Sequence, residues 1–205
     1  VKESNKGRLI PPITVFGFSF VVIISFALGG MVIGFNLIEE KESGAMRALM
    51  VTPIAKNELI FGRSIMGIVI PLFHALTATL IFDIPNIDYL KLIIVSVVSS
   101  IIGVVVGFLI GVVSSSQMSG IANMKISGWL LLMPVTLAFI LPERAQWIFF
   151  WSPTYWSLVA LRDILNMSSK WSGFAFQVLW ICLTTAILFL LMKSKIRKGL
   201  QTYLN

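Results

Sequence analysis

Charge is what this sequence has least of. Only 12% of its residues are Asp, Glu, Lys or Arg, about half of the ~25% usual in soluble domains. Hydrophobic residues make up 57%, and the mean hydropathy is +0.93. A chain of 205 residues is long enough for one or two soluble domains, yet almost no polar sequence is left to build one. The composition is that of a polytopic membrane protein. Cysteine and histidine are nearly missing as well. Cys182 stands alone, which excludes an intrachain disulfide, and together with the single histidine, His74, it cannot form a metal cluster.

The net charge of +7 and pI near 9.8 do not point to nucleic acid, because no basic face with interleaved aromatics exists. In a membrane protein the excess comes from basic loops on the cytoplasmic side, and Lys193, Lys195, Arg197 and Lys198 follow directly on an apolar run. The chain opens with Val, and its first twelve residues are polar and contain prolines. That is not a signal peptide, which needs a cationic start and then a short apolar core, and it raises the expectation of a segment upstream.

About 20 apolar helical residues cross the hydrocarbon core of a bilayer. By that measure the chain is an all-α, polytopic bundle with five spans, at about 13–38, 57–82, 92–113, 126–141 and 171–192, forming one transmembrane domain over residues 1–205. Residues 145–161, AQWIFFWSPTYWSLVAL, are too short and carry Pro153 at their middle. Proline removes a backbone donor and disfavours helix in the residue before it. This stretch reads as two short helices dipping in from one face. Five spans put the termini on opposite sides. The face holding 39–63, 114–125 and 193–205 has nine Lys and Arg against seven on the other, so the positive-inside rule places it, with the C-terminus, in the cytoplasm.

Between the first two spans lies EEKESGAMRALMVTPIAK, residues 39–56. Ser43 to Val51 has Met46, Leu49 and Met50 on one helical stripe with Arg47 off it, the pattern of a short amphipathic helix. Glu42 at its start suits the positive end of a helix dipole, and Pro53 ends it after Thr52. Glu39 and Glu40 fall at the C-terminal end of the first span, the unfavourable end for acids. A cationic partner is the expectation; a plain interfacial linker is the alternative.

The run from Glu40 to Ile54, EKESGAMRALMVTPI, resembles the cytoplasmic coupling segment of ABC-2-type transporter permeases, whose pattern is an acidic–basic–acidic triplet, Gly-Thr, a Leu and Thr-Pro. Ala45 stands where Thr is commoner. The likeness extends through Leu141-Pro142 and Ser152-Pro153-Thr154-Tyr155-Trp156, where the family places two short outer helices before its last span. It implies a permease subunit of a bacterial plasma-membrane ABC exporter, paired with a second permease chain. Its coupling helix, about 43–52, would dock on a separate ATP-binding subunit through Glu40, Glu42, Gly44, Arg47, Leu49, Thr52 and Pro53. ATP and magnesium would sit on that subunit, since this chain has no G-x-x-x-x-G-K-[ST] phosphate loop and needs no cofactor of its own. Family members usually have a sixth helix before the first one here, followed in many by an external region, so this chain is expected to begin just after that part. Small size fits drug or antimicrobial cargo; sodium, polysaccharide and lipid are alternatives.

Two glycine stripes, Gly30 with Gly34 and Gly103 with Gly107 and Gly111, let helix backbones approach closely, either within the chain or at a subunit seam. His74 is the only ionisable residue well inside a span. It is a candidate for the substrate path or simply a neutral histidine bonded to Thr77, Thr79 or a neighbouring helix. Trp151, Tyr155 and Trp156 read as a headgroup belt or as an exit that amphiphilic cargo brushes past. An ion-coupled carrier would have to run on His74 alone, since the uncharged runs 13–38, 64–82, 92–113, 126–141 and 171–192 hold no Asp, Glu, Lys or Arg. A membrane-embedded enzyme lacks its zinc motif or paired carboxylates, Asp83 and Asp88 lying in an exposed turn. A scaffold without transport activity is the remaining rival. Ser114, Ser115, Ser116 and Gln117, with Lys125 nearby, read as a solvated turn.

Overall fold

A computed structural model describes residues 10–45, 56–84 and 86–202. The described chain is helical without strands. Its elements in order are α1 (Pro12–Glu42), α2 (Lys56–Ile81), α3 (Tyr89–Val113), α4 (Gln117–Ile140), a 3-10 helix (Glu143–Phe149), α5 (Pro153–Leu165) and α6 (Trp171–Thr202). Five helices are long and apolar enough to cross a membrane: α1, α2 from Ile60, α3, α4, and α6 as far as Ser194. Together they define a multi-pass membrane protein. The short pair before α6 takes the place expected for it, although α5 runs four residues past the anticipated end.

Proline and capping residues set the boundaries. Pro12 occupies the first turn of α1, where its missing N–H costs nothing. Asp88 caps α3, its carboxylate accepting from the Lys91 N–H at 3.2 Å and pairing with Lys91 Nζ at 3.2 Å. Desolvation pushes the Asp88 pKa up, but the bonds and charge of Lys91 prevail and hold it below its ordinary value. Lys91 is itself nearly buried; its ammonium donates to Ser169 O at 2.7 Å and lies 4.9 Å from the centroid of the Trp171 ring.

α3 and α1 form the centre, with 61% and 50% of their apolar windows buried against 22–28% for the other spans. The glycine stripes explain how. A Cβ on Gly103 would lie 2.0 Å from Phe26 O, and one on Gly30 or Gly107 would lie 2.2 Å from a carbonyl of the opposite helix. Gly34 and Gly111 continue this seam towards Leu37. Both stripes are therefore occupied by packing within one chain. A second close approach joins α1 to α2, where a Cβ on Gly29 would meet Gly67 O at 2.7 Å and the Pro71 ring at 3.1 Å. In lipid, packing of this kind replaces the hydrophobic drive that joins helices in water.

The pair of short helices is wedged into the core. Tyr155 and Trp156 are buried, whereas Trp147 and Trp151 remain exposed. The Tyr155 hydroxyl donates to Gln146 Oε1 at 3.2 Å, and Trp156 Nε1 donates to Phe150 O at 2.9 Å. Trp156 also stacks on Trp180 of α6, with centroids 5.4 Å apart. With both polar tips partnered, the two rings can leave the headgroup level. Pro134 denies Leu130 its usual i+4 donor, and Thr154 of α5 donates to the adjacent carbonyl of Leu131 at 2.8 Å.

Candidate functional site

Helix α1 does not stop at residue 38, as the charge boundary suggested, but continues through Glu-Glu-Lys-Glu to Glu42. Glu, Lys and Leu are good helix formers, and nothing breaks the helix before Ser43 and Gly44. The Ser43 N–H bonds Glu39 O at 2.9 Å, and Gly44 sits at φ +76°, a left-handed conformation suited to glycine at a helix end. The Ser43 hydroxyl accepts from the Ala45 N–H at 3.4 Å as the chain turns away. Arg47, Leu49, Thr52 and Pro53, like Met46 and Met50, lie outside the described residues.

The extra turn delivers the charged triplet to three different helices. Glu40 pairs with Arg63 of α2, both side chains mostly shielded at 24% and 15% exposure. The ammonium of Lys41 donates to the carbonyls of Gly111, Val112 (3.2 Å) and Ser114 (3.3 Å), the orphan acceptors at the C-terminus of α3. A Glu42 oxygen accepts from the backbone N–H of Gln117, the first residue of α4, at 3.1 Å. Each charge meets the helix end of opposite sign or an opposite ion.

Two expectations change here. The cationic partner sought for Glu40 is Arg63 of the same chain. Glu42 caps the N-terminus of α4; the segment after it, whose start it was also expected to serve, lies from residue 46 outside the described residues. The stretch read as a solvated turn is also structural. Ser114 is fully buried, its hydroxyl accepts from Asn123 Nδ2 at 2.9 Å, and Ser116 and Ser119 form a capping box that opens α4. Only the alternation of sign in Glu-Lys-Glu hinted at this; which helix ends would receive each charge depends on tertiary packing.

A second feature lies along α1 and α4. An apolar groove of about 540 Å³ runs between them, lined among others by Phe20 and Phe35 of α1 and by Lys125, Trp129, Met133 and Thr136 of α4. That volume falls in the range of small-molecule sites, roughly 300–1,000 Å³. The span expected at 126–141 began after Lys125 because charge marked the boundary. The helix actually starts at Gln117, which sets Lys125 about 12 Å along the axis at 1.5 Å per residue. None of His74, Trp151, Tyr155 and Trp156 lines this groove. His74 Nδ1 bonds Ile70 O of its own helix at 2.8 Å, not Thr77 or Thr79.

Five apolar helices, two short helices before the last of them and a charged clamp at the exit of the first are the architecture expected of an export permease. The match to known families agrees. The chain belongs to the Rv2686c-like family, described as fluoroquinolones export permease protein Rv2686c-like, whose model covers residues 4–192. Comparison with curated proteins and with solved structures gives no match. The chain is thus a transport subunit of an export permease.

Proposed function

We propose that this chain is the membrane subunit of an ATP-driven exporter that carries drug-like amphiphiles, fluoroquinolones among them, out across a bacterial plasma membrane. The clamp at Glu40, Lys41 and Glu42 carries this reading. It ties the root of segment 43–55 to the adjoining ends of α2, α3 and α4, so a push on that segment reaches three spans at once. The push comes from an ATP-binding subunit holding ATP and magnesium, which grips residues 43–53 through Arg47, Leu49, Thr52 and Pro53. That end of the bundle and the C-terminus then face the cytoplasm, in line with the Lys and Arg count. Two permease chains work as a pair around the two motors. The family name and the drug-sized groove between α1 and α4 support an aromatic drug as cargo.

Glu42→Lys tests the reading. Lysine would set a cation against the positive end of α4 and remove the bond to Gln117, at about 1 kcal/mol for each such dipole mismatch. The variant is expected to insert normally and to leave ATP hydrolysis by the complex running, while export falls at least several-fold. Unchanged export of a fluoroquinolone from cells producing equal amounts of the variant would refute it.

A further inference from the structure

Lys125 has no evident task in the fold. It lies inside a candidate membrane span, it is exposed, and no hydrogen bond or ion pair involves it among the described residues. Intramembrane cations are costly and normally face a partner, a cavity or a functional path. Lys125 lines the apolar groove, whose walls among the described residues hold no carboxylate and only Thr136 as a further polar side chain. Trp129 follows at i+4, on the same face of α4. Between them Gly128 also lines the groove, and a Cβ built there meets nothing within 4 Å. Glycine in a helix interior costs about 1 kcal/mol against alanine, and unlike Gly30, Gly103 and Gly107, this one has no neighbouring helix to accommodate. A cation, an indole and an open glycine therefore border one drug-sized space that the chain leaves unfilled.

We propose that Lys125 is the specificity-determining residue for an anionic aromatic cargo: it pairs with the carboxylate of a planar drug whose rings lie over Gly128 against Trp129. This rests on the export reading above. The carboxylate of a fluoroquinolone supplies the missing counter-ion, and the low-dielectric walls strengthen the pair. The cation stands on the half of α4 nearer the clamp, so the acid is taken up from the cytoplasmic side.

The test uses the permease purified with its ATP-binding subunit in lipid nanodiscs, with two fluorescent probes: a fluoroquinolone bearing its free carboxylate, and the methyl ester of the same drug. Wild type is expected to bind the acid more tightly than the ester. Lys125→Gln should weaken the acid by about tenfold to one hundredfold and leave the ester within about twofold, while Lys125→Arg restores most of the preference. Gly128→Leu should fill the space and abolish binding of both. Equal loss of acid and ester in Lys125→Gln, or no loss of either, overturns the assignment. So does dissociation of the two permease chains by Lys125→Gln or Gly128→Leu, which would make the groove a seat for a second copy. If wild type binds neither probe and cells export neither, the drug-export reading fails along with it.

Discussion

Leucine in place of Gly103 should prevent the permease from reaching its folded state. The native backbone already brings the position of a Gly103 Cβ within 2.0 Å of Phe26 O, a separation well under the 3.0 Å that real Cβ contacts essentially never breach. Neither atom belongs to a flexible side chain, so relief requires α1 and α3 to separate, and their carbonyl-on-glycine contact continues through Gly30 and Gly107. Overpacking a tight core costs about 1–3 kcal/mol even where side chains can yield; here the loss should exceed that. The measurement is recovery of monodisperse protein after mild solubilisation, with thermal unfolding for any variant recovered. Gly128→Leu is the internal control, since its Cβ faces open space, and it should be recovered like wild type. Normal recovery of Gly103→Leu would mean that the two central helices are not packed in this way.

The second large effect is expected from Lys41→Met. The ammonium closes the C-terminus of α3 through three backbone carbonyls, and methionine keeps the length of the side chain while deleting the charge and every donor. A hydrogen bond to a charged group contributes about 1.5–3 kcal/mol, and losing the cation at the negative end of α3 adds a few tenths more. The fold should survive, because the α1–α3 seam does not depend on it. The apparent melting temperature should drop by several degrees. Transport should drop further, because α3 is released from the element that receives the stroke, while ATP turnover by the complex persists. Lys41→Arg should retain most of both. Transport equal to wild type in Lys41→Met would show that the clamp transmits nothing.

Much of the architecture was legible because a bilayer demands long apolar runs. Each of the five apolar runs lies on a helix long enough to cross a membrane, and Pro153 with its aromatic neighbours marked the two short helices before the last. Errors arose where charge was used as a border. Glu42 and Lys125 both sit inside helices, since the backbone keeps its hydrogen bonds past the point where side chains turn polar. The glycine stripes could be seen in the sequence, but not which carbonyls they meet. Gly29 and Gly67 gave no pattern at all, because a single glycine on each helix is enough for one crossing. Tyr155 and Trp156 looked like interface residues by type; Gln146 and Phe150 O allow them inside, and only packing reveals those partners. At the clamp, the sequence suggested that acids at the end of α1 needed a cation, and Arg63, twenty-three positions on, is brought there by the fold.

On the proposed function, segment 43–55 is the grip of an external motor. Single cysteines introduced as Arg47→Cys and Leu49→Cys in a Cys182→Ser background would be cross-linked in membranes to the co-expressed ATP-binding subunit. A specific cross-link is expected from both positions, with a yield that changes when ATP is added. Absence of any cross-link, with both cysteines labelled freely from the cytoplasmic side, would contradict it and leave the segment a plain interfacial linker.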